Sequence, residues 1–376
     1  MITSNSILFT IICVCGFQAI ILSILNFLKK PKSLAQKFLA MLIFFYAIMA
    51  LNIVLVNVLK DFDILYVFRY VQLEMLYGIG PALYFYTKSI TQPSFKFSRK
   101  NLWHFFPLVI EFIFYRTAWY RNGADGLYLD TTPNITYVYL TQQWIGVISI
   151  IVYSIIALRI LYKDQEKLKQ YYSKIENYSY RWLQLPIIIY ASFFIVYNII
   201  SEIDRFVFER ILREYYFLPS FVILAVINCW IGFKGYVLKE RLDFPLPSIS
   251  ESTEDKTLDR DEVFLSKINT LMETQKPYLN PELNLSMLAE LLAMKPKQVS
   301  SKLNQSSAMN FYDFINSYRI KEFKQRVASS QLQKFSLLGL AYDCGFNSKS
   351  TFNTVFKKHV QMTPSQYVKS IKNTSS

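Results

Sequence analysis

The chain has 376 residues, 52% of them hydrophobic and 17% aromatic, with 41 Lys and Arg against 27 Asp and Glu for a net charge of +14. So apolar a composition excludes a wholly soluble protein, whose surface would have to be largely polar. The charge points to an anionic partner, nucleic acid or lipid, and the four cysteines (Cys13, Cys15, Cys229 and Cys344) show no spacing suited to a metal or a disulfide framework.

The apolar residues crowd the first 240 positions. Seven segments there approach the roughly 20 residues a helix needs to cross a bilayer: 7–28, 38–59, 64–90, 102–119, 137–161, 182–200 and 215–233. The first has no basic stretch before it and no Ala-x-Ala after it, so it is expected to be a retained span and not a cleaved signal. The loop after the first span holds Lys29, Lys30, Lys32 and Lys37, and that after the third holds Lys88, Lys96, Arg99 and Lys100. The loop after the fifth holds Arg159, Lys163, Lys167, Lys169, Lys174 and Arg181. The alternate loops are poorer in cations or mix them with acids. The positive-inside bias therefore predicts a multi-pass protein of the cell (inner) membrane, N-terminus outside and C-terminal region cytoplasmic.

Charged residues within spans are functional candidates. Glu74 in the third span and Glu111 in the fourth are read as a signal pocket, against the blander alternative of interhelical hydrogen bonding. Gly78, Gly80 and Pro81 are expected to loosen or kink the third span. An enzyme is not expected. The chain has only His104 and His359, and shows no Walker loop, kinase motif, zinc spacing or nucleophile elbow. No cofactor or metal is predicted.

Residues 237–261 hold two prolines, several serines and an acidic excess, the composition of a linker. From residue 262 the pattern is helical, polar and basic. Two helix-turn-helix units can be drawn. The first pairs 285–292 with a helix over 296–304 that begins at Pro296, a residue suited to a first turn. Val299 and Leu303 face inward there, while Lys297, Ser300, Ser301 and Asn304 line the opposite face. The second pairs 337–344 with 348–359 across Gly345, where positive φ is expected, and Asn347 or Ser348 is placed to cap the second helix. Phe352 and Phe356 face inward, and Lys349, Ser350, Asn353, Thr354 and Lys357 face outward. Thr363-Pro364-Ser365-Gln366 reads as a capping box, a helix start that can hold a backbone phosphate.

Gly345-Phe346, Phe352, Phe356-Lys357 and Met362-Thr363-Pro364-Ser365-x-Tyr367, with Leu288-Ala289 and the Asn310–Ile320 stretch upstream, resemble the DNA-binding domain of the AraC/XylS regulators. The resemblance implies a seven-helix domain whose two recognition helices enter successive major-groove faces. By position, base contacts fall to Lys297, Ser300, Ser301, Lys349, Ser350, Asn353 and Thr354, and phosphate contacts to Asn304, Lys357, Lys358 and Thr363. Ala308 stands where the family usually has glycine, and Gly339 lies inside a helix at a cost of up to about 1 kcal/mol.

The fold expected is all-α, a polytopic membrane bundle of about seven spans followed by a soluble double helix-turn-helix domain. The divisions are 1–236, a linker 237–261, and 262–376. The expected partners are promoter DNA, membrane lipid, an unidentified signal ligand, RNA polymerase and a second copy of the chain. The rival reading is a transporter or receptor whose basic tail binds lipid or RNA.

Overall fold

The computed structural model describes residues 2–30, 33–58, 75–92, 94–114, 133–173, 180–209, 211–237, 262–328 and 336–374. Fourteen α-helices and two 3-10 turns account for almost all of them. The described residues contain no strand, only an isolated bridge between Tyr172 and Asn284. The chain divides into two compact units: residues 1–162 with 180–243, and residues 163–179 with 244–376.

The first unit holds α1 (Ile2–Leu28), α2 (Leu34–Val58), α3 (Leu76–Thr91), a 3-10 turn Arg99–Phe105, α4 (Phe106–Phe114), most of α5 (Pro133–Leu168), α6 (Arg181–Val207) and α7 (Arg213–Val237). Among the described residues, five helices are long and apolar enough to cross a membrane: Ser6–Leu28, Leu34–Asn52, Gln143–Leu168, Arg181–Val207 and Tyr215–Val237. At 1.5 Å per residue, the 27 residues of α1 exceed the roughly 30 Å of a bilayer's hydrocarbon. These correspond to the first, second, fifth, sixth and seventh predicted spans. Of the third, only Met75 onward is described, including the 16-residue α3; of the fourth, only residues up to 114, with the nine-residue α4.

Helix α2 is the best buried of the five, with Leu39, Leu42, Ile43 and Ala47 all at 2% exposure or less. The other long helices leave large apolar side chains such as Phe17, Ile145, Val196 and Trp230 about half exposed, as an outer face turned to hydrocarbon would require. Some of their polar residues pair internally. Gln143 donates to Asn198 across α5 and α6 at 2.6 Å, and Ser23 of α1 donates to the Ala40 carbonyl at 2.7 Å. Asp204, fully buried, accepts from the Leu212 amide and the Tyr216 hydroxyl beside the start of α7. Helix α3 is unbroken through Pro81. Its glycines serve close packing: a Cβ on Gly78 would lie 2.6 Å from the Phe45 ring, and one on Gly80 2.6 Å from the Tyr153 ring.

The second unit holds α8 (Glu262–Thr274), a 3-10 turn Pro277–Leu279, α9 (Leu285–Leu291), α10 (Pro296–Ser307), α11 (Phe311–Ala328), α12 (Leu337–Asp343), α13 (Lys349–Val360) and α14 (Pro364–Thr374). Its seven described α-helices match the number the resemblance implied. They enclose two apolar cores. Phe264, Ile268, Leu288, Val299, Leu303 and Ile315 fill the first. Phe323, Leu340, Phe346, Phe352, Val355 and Phe356 fill the second. Helix α11 serves both, with Phe311, Phe314 and Ile315 in one and Ile320, Phe323 and Val327 in the other. Tyr171, more than 90 residues upstream of α8, is buried in the first core.

Candidate nucleic-acid interface

Two helix-turn-helix units occupy the second unit, α9 with α10 and α12 with α13. Each begins with a side-chain cap that satisfies a free amide of the first turn. Asn284 accepts from the Met287 amide at 3.0 Å, and Ser336 from the Gly339 amide at 3.0 Å. The turns are alike. After α9 comes Leu292 and then Ala293 at φ 53°; after α12 comes Cys344 and then Gly345 at φ 91°. Both second positions use the left-handed region, which costs a residue with a Cβ roughly 1–2 kcal/mol. Gly345 carries the expected positive φ. Ala293 does the same work in the first unit without glycine, so nothing in its residue type pointed to it.

The second helix of each unit is fixed at its start. Pro296 occupies the first turn of α10, where Gln298 accepts from the Lys295 amide at 3.2 Å. Ser348, not Asn347, caps α13, accepting from the Thr351 amide at 3.2 Å. Asn347 instead donates to Glu282 at 3.3 Å. Inward-facing Val299, Leu303, Phe352 and Phe356 are all at 1% exposure or less. The outward faces are then open: Lys297, Ser301 and Asn304 on α10 are exposed, with Ser300 half-buried, and Lys349, Ser350, Asn353, Thr354, Lys357 and Lys358 on α13 are all exposed. Lys358 is already ion-paired with Asp313 at 2.7 Å, a contact that a phosphate would have to replace. Thr363 and Gln366 form the predicted capping box at the head of α14, with reciprocal bonds of 2.9 and 3.3 Å. Lys and Asn suit guanine and adenine edges, and Ser and Thr suit bases or phosphates.

Ala308 ends α10 at φ 55°, in the left-handed region that favours glycine. Ala308→Gly is expected to stabilise this turn by about 0.5–1 kcal/mol, read as slower hydrogen exchange of the amides in α10 and α11.

A buried polar cluster joins the two units. Arg319, at 2% exposure, donates from Nε to the Tyr278 carbonyl at 2.8 Å and from Nη2 to the Asn280 carbonyl at 2.9 Å. Glu322, one turn on, accepts from Lys276 at 2.9 Å, the Tyr278 hydroxyl at 3.0 Å and Arg326 at 2.8 Å. Burial alone would raise the Glu322 carboxyl, but those three donors together outweigh it and hold it below its ordinary value. A depressed carboxylate stabilises the fold above its unfolded pKa, and that contribution is lost as pH falls through the folded value. The unit should therefore lose stability below about pH 4.5 through this residue, and Glu322→Gln should flatten that part of the pH–stability curve. Cys344 is also buried here, its thiol pushed up to about 12, chiefly by burial; it is a packing residue. Sequence reasoning did not single out this cluster, because Arg and Glu are usually solvated and only their long-range partners reveal the burial.

The two candidates in the apolar N-terminal part have separate fates. Glu74 lies outside the described residues. Glu111 is buried at 5% exposure, and its two oxygens accept from the Leu76 and Tyr77 amides at 3.4 and 3.3 Å. That places its negative charge at the positive end of α3.

Residues 288–370 match the family of the helix-turn-helix domain, and the stretch contains both units except the first three residues of α9. This stretch is an AraC-type helix-turn-helix domain. Uncharacterized HTH-type transcriptional regulators of Staphylococcus aureus strains COL, MSSA476 and N315 are each 27% identical to the chain over 101 residues. That similarity covers 27% of this chain and only 13% of each relative. No solved structure matches the chain.

Proposed function

We propose that the chain is a membrane-embedded one-component transcriptional regulator, whose helix-turn-helix domain binds promoter DNA under control of a signal sensed by the apolar helices. The observation that carries this reading is the pair of capped helices, α10 and α13, that bury one face completely and expose a face of Lys, Ser, Asn and Thr. Base contacts are assigned to Lys297, Ser300, Ser301, Lys349, Ser350, Asn353 and Thr354, and phosphate contacts to Asn304, Lys357, Lys358 and Thr363. The topology has support from a second direction. The cation-rich loop after the fifth span, assigned to the cytoplasm by its charge, includes residues that fold within the same compact unit as the DNA reader.

Chromatin enrichment of the full-length protein, followed by sequencing, tests the reading. Discrete sites near promoters support it; the absence of enrichment favours a transporter or receptor with a basic tail. On a site so found, Asn353→Ala should cost about 1–3 kcal/mol and relax preference at one base pair. Lys357→Ala should weaken binding to all sequences alike and reduce the salt slope by about one.

A further inference from the structure

The DNA-reading unit is made of two separate stretches of chain, and the shorter one, 163–179, begins with the C-terminal end of α5 (163–168) and precedes α6 in sequence. Its described part, residues 163–173, meets the reader at three kinds of contact. Its backbone caps two helices: the Tyr171 carbonyl accepts from the Leu285 amide at the start of α9, and the Lys169 carbonyl accepts from the Tyr312 amide at the start of α11, both at 2.9 Å. These amides belong to first turns that have no partner within their own helix. Tyr171 supplies a side chain to the first core. Ser173, at 1% exposure, donates to the Leu283 carbonyl, and it accepts from Arg319 through its hydroxyl at 3.3 Å and its carbonyl at 3.5 Å.

Arg319 carries the contact across to the second reader. A Cβ on Gly345 would lie 2.9 Å from Arg319 Nε, and the guanidinium stands 5.9 Å from the Phe346 ring centroid. Both residues belong to the turn between α12 and α13. The segment thus touches α9 of one reader directly and the turn of the other through a single buried side chain.

We propose that residues 163–173 are a clamp that sets the placement of the two recognition helices relative to each other, with Tyr171 and Ser173 as positioning residues for DNA reading. The clamp is covalently continuous with α5, so it is a route by which a change in the apolar helices reaches the DNA readers besides the linker. The inference rests on the DNA-binding reading above. A segment that only added stability would alter affinity at every site in proportion. A segment that sets geometry alters the preference between site spacings.

The test uses full-length protein in lipid nanodiscs and a promoter fragment recovered by chromatin enrichment. A second version of the fragment carries about five extra base pairs, roughly half a helical turn, between the two groove segments. In the wild type only one reader can engage the lengthened site, so affinity should fall about a hundredfold. In the Tyr171→Ala/Ser173→Ala protein the penalty should shrink to about tenfold or less. If the double variant fails to fold, judged by hydrogen exchange in α13, Ser173→Ala alone carries the test, and its penalty should fall between the two. A variant that folds and keeps the full wild-type penalty overturns the clamp while leaving DNA binding intact. A wild type that binds neither fragment overturns both.

Discussion

Gly345→Ala is expected to unfold the second reader. Two separate costs meet at this position. At φ 91° a residue with a Cβ is strained whatever its surroundings. The added carbon would also lie 2.4 Å from the Tyr278 carbonyl and 3.0 Å from that of Leu279, both backbone atoms that cannot rotate away. Together these should cost about 3–5 kcal/mol, a large part of the 5–15 kcal/mol that holds a typical domain together. Hydrogen exchange in α12 and α13 should accelerate strongly, and promoter affinity should be lost. Gly339→Ala is the matched control. Its Cβ would approach only the Ser336 hydroxyl, at 3.2 Å, and it lies within α12, so a change within about 1 kcal/mol is expected.

The second large effect is expected at Arg319. Arg319→Met keeps most of the volume but removes the donors. The carbonyls of Tyr278 and Asn280 then lose a partner in a buried site, as do Asn316 and Ser173. Each such loss costs about 1–3 kcal/mol, and neighbouring losses are not additive, so a total of about 3–5 kcal/mol is expected. The loss should be felt in both helix-turn-helix units at once, because α11 crosses both cores. Exchange that accelerates in α13 alone would show that the residue serves only the second unit.

The parts of this structure that could be read from sequence are those whose cause is local. The turn at Gly345, the caps at Ser348 and Thr363, and the inward pairs Val299/Leu303 and Phe352/Phe356 all follow from residues within one or two turns of each other. The long apolar helices declare themselves by composition alone. Ala293 was not legible because its left-handed backbone is imposed by the packing of α9 on α10, against the residue's own preference. Glu111 was legible as a charge in an apolar segment, but its use depends on the start of a helix 35 positions away. Tyr171 and Ser173 gave no signal at all. They lie in a polar stretch after α5 that reads as an ordinary loop, and their partners are more than 100 residues downstream.

That last feature bears on how such a reader could be set free. Membrane-held DNA-binding domains invite the idea of proteolytic release, in which one cut between anchor and reader sends a soluble fragment to the chromosome. Here a cut anywhere in 238–261 would sever one of two attachments. The fragment beginning at α8 would still be gripped through Tyr171 in its first core, two backbone caps and the Ser173–Arg319 bonds. To leave, it would have to open that core and expose the starts of α9 and α11. If the chain is the membrane-embedded regulator proposed above, a single protease is a poor switch for it, and its control acts with the reader still in place.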